Sequence, residues 1–226
     1  VNLGKFYSVL KKKMLSFQEF FTACTGLWKT ERIYHSVLQG QVERSYTEFR
    51  VESLKGDQKQ QILSQSLLSG IKVDLAQMRD DENLCPGFAI AFDTRSETGE
   101  EVSMSLKALF VPDAYATLAE AAESSAPVLP VAAHVPAAEE VIQGFYLRDE
   151  GYSEAGAVAG RFTYQPTRQT LEMTTYYRRS VAVDQMRIIA PDMRIRTIVT
   201  YQRPQPGEVP TVIDLVGFGV EHRQPA

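Results

Sequence analysis

Arg194 and Arg196 stand two apart in the stretch MRIRTIVTYQ (193–202), which has the alternating, β-branched character of a strand. Side chains at i and i+2 of a strand leave from the same face, so two guanidinium groups project side by side. A planar guanidinium grips a carboxylate through paired hydrogen bonds, so the chemistry this pair suits is recognition or orientation of acidic groups. Two acids stand in comparable settings. Asp184 interrupts the apolar run VAVDQMRII, and Glu221 closes VGFGVE, where Gly217, Gly219 and Glu221 share one parity and Val216, Phe218 and Val220 the other. Two glycines beside a glutamate leave room on that face, as a bound ligand requires. Periodicity leaves two placements open. Either these faces point into an enclosed interior, where costly unpaired charges imply mutual pairing or a complementary ligand, or Arg194 and Arg196 face solvent and Met193, Ile195 and Val199 form the core face.

Other chemistries find no support in the residues. The chain has no G-x-G-x-x-G, P-loop, H-E-x-x-H or G-x-S-x-G. His35, His134 and His222 lack metal-ligand spacing and read as surface or packing residues. Cys24 and Cys85 are the only cysteines, too few for a structural zinc site. Cys24 lies on an apolar helical stripe and reads as a small buried hydrophobe; Cys85, before Pro86, reads as an ordinary loop thiol. A net charge of −4 argues against a general nucleic-acid binder, which needs a basic face. No run approaches the ~18 uninterrupted apolar residues of a membrane span.

The elements that must position these residues are mostly short strands. SFQEFFTACT (16–25) reads as a helix: Ser16 and Glu19 have capping-box spacing, and Phe17, Phe20, Phe21 and Cys24 form one stripe. The period then changes to two. LWKTERIYHSV and VERSYTEFRVESL form a hairpin with Gly40 in the turn, and QKQQILSQSLLS (58–69) reads as a second short helix with Asp57 as its N-cap. Eight further β-rich runs follow: GFAIAFDTRS, EVSMSLKALFV, VIQGFYLRD, AVAGRFTYQ, TLEMTTYYRR, VAVDQMRII, MRIRTIVTYQ and TVIDLVGFGV. Ten strands at hairpin spacing predict an all-β antiparallel sandwich or barrel. Residues 1–15 read as a solvated lead-in and 16–226 as one domain. Residues 113–139, ten of whose 27 are alanine, read as an insertion in a connecting loop.

Gly26-Leu27-Trp28 at the entry to the first strand is similar to the lipocalin and fatty-acid-binding-protein pattern, in which the tryptophan closes the barrel base. Taken with FQEFFTACTGLWKTERIYHSV (17–37), VERSYTEF (42–49), EEVSMSLKALFVPD (100–113), YLRDEGYSEAGAVAGRF (146–162), APDMRIRT (190–197) and VGFGVE (216–221), the chain resembles the S-type phycobiliprotein lyases, the CpcS/CpeS family of bilin chromophore lyases. The 113–139 insertion departs from that pattern, as does Tyr176, where relatives often carry glutamate.

The resemblance implies a ten-stranded, lipocalin-like antiparallel barrel with a short N-terminal helix. It implies non-covalent binding of a linear tetrapyrrole, phycoerythrobilin or phycocyanobilin, as substrate rather than as a permanent cofactor. The bilin is then attached by a thioether to a cysteine of a phycobiliprotein apo-subunit, the β subunit by preference, and that acceptor supplies the thiol. A bilin carries two propionates and four pyrrole-type nitrogens. Arg194 and Arg196 are then expected to contact propionates or orient a carboxylate, and Asp184, Glu221 and, behind them, Glu172 to accept pyrrole N–H groups. Trp28, Phe92 and Tyr176 are expected to stack on the rings, and Arg161, with Arg32, His35 and Arg148, matches family positions. The resemblance further implies a homodimer, no nucleic-acid or membrane partner, and a home in cyanobacterial cytoplasm or an algal plastid. Two competing readings are a lipocalin-type carrier of a hydrophobic ligand without transfer activity, and an assembly chaperone that binds the apoprotein without pigment.

Overall fold

The computed structural model describes residues 14–66, 70–74, 85–118, 128–130, 133, 140–152 and 154–225. Helix α1 (Phe17–Cys24) begins at the expected capping box: Glu19 N donates to Ser16 Oγ at 3.2 Å and Ser16 N to Glu19 Oε2 at 2.9 Å. It leads into β1 (Gly26–Ser36) and, through the turn containing Gly40, β2 (Gln41–Ser53). Helix α2 (Gly56–Ser66) and the short β3 (Ile71–Val73) follow. Then come β4 (Gly87–Ser96), β5 (Glu101–Pro112), β6 (Ala116–Leu118), β7 (Ile142–Arg148), β8 (Val158–Gln165), β9 (Thr170–Tyr176), β10 (Ser180–Ala190), β11 (Met193–Gln202) and β12 (Ile213–Arg223).

Ten of these strands close into an antiparallel barrel in the order β1-β12-β11-β10-β9-β8-β7-β5-β4-β2. These are the ten strands and the barrel expected from the sequence. Closure leaves no unpaired sheet edge. The remaining two, β3 and β6, pair with each other outside the barrel, so the alanine-rich stretch opens with a 3-10 turn (Asp113–Tyr115) and a short strand rather than as loop. Most of that stretch lies outside the described residues, as do residues 67–69 of the second expected helix. Asp57 stands inside the first turn of α2, where the macrodipole favours an acid, rather than capping it.

One end of the barrel is plugged. Phe20, Phe21 and Cys24 of α1 are buried against Phe88, Phe110, Tyr146, Phe162, Tyr164, Leu171 and Met186, an aromatic-rich core with ring centroids about 5 Å apart, such as Phe21–Phe110 at 4.7 Å and Phe20–Tyr164 at 5.0 Å. The Tyr164 hydroxyl donates to the Leu15 carbonyl at 2.7 Å and ties the lead-in to the same plug. On the outer wall, Ile62 and Leu63 of α2 pack on Leu109, Val111, Phe145 and Leu147, so β5 and β7 are covered on both faces. Among the described residues no helix is long and apolar enough to cross a membrane.

Candidate functional site

Register decides which side chains meet inside the barrel. Glu221 on β12 lies directly across from Arg194 on one side and Thr30 on the other; Gly219, two residues earlier, lies across from Arg196 and Arg32. A shared parity and a Cα pairing thus converge three arginines on one carboxylate. Glu221 Oε2 accepts from Arg194 Nε; Oε1 accepts from Arg196 Nε at 2.7 Å and from Arg32 Nη2 at 3.1 Å. Arg196 Nη1 extends the chain to both oxygens of Asp184 at 2.8 Å, and its Nη2 reaches Met186 Sδ at 3.2 Å. Arg194 and Glu221 are all but inaccessible, at 1% and 0% side-chain exposure, while Asp184 at 24% marks the end nearer solvent. The solvent-facing placement of the arginine pair is therefore the wrong one.

The electrostatics follow from this packing. Burial alone would push the Glu221 carboxyl up, but Arg196, Arg194 and Arg32 outweigh it and hold the group far below the ordinary carboxylate range. Burial likewise opposes the Arg196 charge, and Asp184 and Glu221 more than offset it. Three guanidiniums meet two carboxylates, leaving one positive charge in excess. Two buried polar atoms near it have no hydrogen-bond partner: Arg32 Nε, and Oγ of Ser45, the residue paired with Arg32 across β1–β2.

The glycines that promised room for a ligand do something else. A Cβ on Gly219 would lie 2.8 Å from Arg32 Cγ, and one on Gly217 2.8 Å from the Tyr34 ring. The space above both is filled by side chains of β1, and Gly219 is what lets Arg32 lie across β12 to reach Glu221.

Trp28 closes the floor of the cluster. It is buried, its Nε1 donates to the Cys24 carbonyl at 2.9 Å, and its ring lies 4.0 Å beneath the Arg194 guanidinium. One face of its ring is thus taken by an arginine. Phe92 on β4 sits higher, half-buried, with its ring 5.8 Å from that of Tyr152, which stands over the barrel mouth.

Three expected site residues lie elsewhere. Glu172, Arg161 and Tyr176 have the opposite parity to the interior Met173, Phe162 and Thr175 and point from the outer wall. Glu172 is buried there and accepts from Gln185 Nε2 at 2.7 Å. Arg161 holds Asp113 through two hydrogen bonds, at 2.8 and 2.6 Å, and stacks 4.4 Å from the Phe145 ring. Tyr176 packs against the cluster of Ala133, Val181, Val183 and Tyr201. Arg161, Glu172 and Thr174, with Leu129 and Ala133, line a cleft of about 200 Å³ on this wall. His35 points outward on the exposed side of β1.

Both thiols are poor nucleophiles. Burial in the plug pushes the Cys24 thiol up, and burial pushes Cys85 up to about 12. Cys85 stands in the loop before β4, as expected, but is buried there against the α2 layer rather than being an ordinary loop thiol. Among the described residues no cluster of His, Cys, Asp or Glu is arranged to hold a metal. Arg32 and Arg148 belong to the interior set as well, Arg148 meeting Tyr177 and Tyr152; Arg148 carries a sequence signal, an arginine of interior parity in the otherwise apolar GFYLR.

Comparison with known proteins covers nearly the whole chain. The family model described as CpeS-like protein matches residues 16–120 and 115–224. Chromophore lyase CpcS/CpeS 1 of Synechococcus sp. (strain JA-3-3Ab) is 36% identical over 207 residues, 92% of this chain and 96% of its own length. Chromophore lyase CpcS/CpeS 2 of Synechocystis sp. (strain ATCC 27184 / PCC 6803 / Kazusa) is 25% identical over 187 residues, 79% of this chain and 77% of its own. Among solved structures, the S-type phycobiliprotein lyase CPES from Guillardia theta superposes with a TM-score of 0.60 at 18% identity, covering 94% of each chain, a likeness of fold.

Proposed function

The chain belongs to the CpeS-like family of chromophore lyases, and from that premise we propose that it binds a linear tetrapyrrole inside the barrel and delivers it to a cysteine of a phycobiliprotein apo-subunit, the β subunit by preference. The observation that carries this reading is the interior cluster around Glu221: an ionised, buried carboxylate held by three arginines, with Asp184 above it and one positive charge in excess. Glu221 and Asp184 are positioned by their arginines to accept pyrrole N–H bonds, and the excess positive charge suits a ligand that brings its own carboxylates. Phycoerythrobilin and phycocyanobilin have both features.

The covalent step needs little from this chain. The acceptor thiol adds across the ring-A ethylidene double bond: the S–C bond forms as the C=C π bond breaks, and the thiol proton ends on the neighbouring carbon, with no net oxidation. The shielded settings of Cys24 and Cys85 support a nucleophile supplied by the acceptor. The barrel contributes orientation, holding the bilin in one geometry with ring A presented, which raises the effective concentration of the correct attack. The reading extends to a compartment where phycobiliproteins are assembled, cyanobacterial cytoplasm or an algal plastid, and to a homodimer.

Titrating the purified protein with phycoerythrobilin or phycocyanobilin tests the binding step; a red-shifted, sharpened absorption band is expected. Co-expression with apo-subunits and a bilin pathway, scored by covalent fluorescence, tests transfer. No spectral change together with tight fatty-acid binding would replace this reading with that of a carrier, and capture of apo-subunit without pigment with that of an assembly chaperone.

A further inference from the structure

Arg148 ends β7 on the interior face. Tyr146, two residues earlier, stacks on Phe110 in the core at 4.8 Å, and Ala108, the cross-strand partner of Arg148, is fully buried in the same core. Arg148 itself is 2% exposed. Its Nη1 donates to the Tyr177 hydroxyl at 3.0 Å and its Nε to the Glu150 carbonyl at 2.9 Å, and the Tyr152 ring covers its face at 4.2 Å. Its Nη2 is buried and has no hydrogen-bond partner.

Among the described residues no carboxylate ion-pairs with it. The neighbouring acids are engaged elsewhere: Asp149 with Lys107 N at 2.6 Å and Nζ at 3.2 Å, the Glu150 side chain with Gly156 N at 3.0 Å, and Glu154 with Arg178 N at 3.0 Å. A guanidinium stays protonated in a protein. Arg148 is therefore a buried positive charge whose partners are a hydroxyl, a carbonyl and a ring, an arrangement that costs stability unless something anionic completes it. It lies four strands round the closed sheet from β11. The interior between these walls is narrow enough for Asp184 to act electrostatically on Tyr146, and Tyr152 on Arg196.

We propose that Arg148 is a carboxylate seat at the barrel mouth: a ligand carboxylate takes the unpartnered Nη2, beneath the cover of Tyr152. The proposal rests on the bilin reading, since it assigns one of the two propionates. Arg194 and Arg196 already hold Glu221 and Asp184, so they serve as positioners of those acids. One propionate at Arg148 then pins the tetrapyrrole at the rim, facing the acids that take its nitrogens.

The test is a titration of wild type, Arg148→Gln and Arg148→Lys with phycocyanobilin and with its dimethyl ester, followed by absorption, with thermal unfolding to show that each variant is folded. Arg148→Gln is expected to weaken the free acid at least tenfold and the ester less than twofold, and esterification is expected to cost wild type a similar factor. Arg148→Lys, which keeps the charge without the fork, should fall between; it carries the same acid-against-ester comparison if the glutamine variant does not fold. Equal weakening of acid and ester, or no weakening of the acid, overturns the seat while the bilin reading stands. Wild type binding neither ligand overturns both.

Discussion

The barrel carries arginine–carboxylate pairs on both walls, and the two sets differ in what they leave over. On the outer wall the two charges that line the cleft have partners within the fold: Arg161 is consumed by Asp113, and Glu172 lies against Gln185. On the inner wall Arg32, Arg194 and Arg196 exceed Glu221 and Asp184 by one charge, Arg32 Nε lacks a partner, and among the described residues Arg148 has no carboxylate paired with it. Charged residues on neighbouring strands therefore do not mark a site by themselves. An unpaired charge in a buried interior is the sharper mark, because the fold bears its cost and a ligand can relieve it.

Glu221→Gln breaks that contrast most severely. It leaves three buried guanidiniums without their central anion, and loss of one partner from a buried cluster costs about 3–5 kcal/mol. Chemical denaturation should show a loss of that order, and bilin titration should show a weakened and spectrally altered complex. Unchanged stability and an identical spectrum would remove Glu221 from the centre of the site. The paired change Arg194→Ala and Arg196→Ala should unsettle the fold for the same reason. A solvent-facing pair could be removed with the fold intact; the observed one cannot, because Glu221 would be buried with Arg32 alone.

Acid should separate the walls next. The Glu221 carboxyl is depressed in the folded protein, so its contribution is present above the unfolded-state value, about 4.3, and is lost as pH falls below it, because the unfolded chain takes up the proton more readily. Stability measured from pH 6 down to 2 should drop more steeply in wild type than in Glu221→Gln. Parallel slopes would mean that Glu221 is not held ionised by its arginines.

Much of this is legible in the sequence. The Ser16–Glu19 capping box fixed the start of α1, and period-two alternation placed ten strands and put Arg194, Arg196 and Glu221 on shared faces. What alternation could not say was which face was inside, because register is a property of strand pairs: the Arg194–Glu221 pairing requires β11 and β12 to be aligned. On β9 alternation fails altogether. All of TLEMTT is buried, since the outer wall there is covered too, so Glu172 read as an interior acid. The burial of Cys85 in its loop was hidden for a related reason, the α2 layer over it being invisible locally. The β3–β6 pair is three residues a strand, too short for a pattern.

Glu172→Gln is the gentler counterpart of Glu221→Gln. Its carboxylate accepts from an amide rather than neutralising a cluster of guanidiniums, so a loss of about 1–2 kcal/mol is expected, with the bilin absorption band unmoved. A shifted band would bring Glu172 into the ligand's environment and erase the distinction between the walls.

Arg161→Met is expected to do least. The side chain is a third exposed, and its two bonds to Asp113 join β8 to the segment just beyond β5. Exposed ion pairs contribute about 0–1 kcal/mol, and methionine keeps apolar contact with Phe145, so the unfolding midpoint should move only slightly. Bilin affinity should not change, because Arg161 leaves β8 on the face opposite to Phe162 and the interior. A fold-neutral loss of bilin affinity in Arg161→Met would show that the ligand, or the acceptor during transfer, reaches round the rim to the outer wall. Partner saturation would then be the wrong criterion for telling the two walls apart.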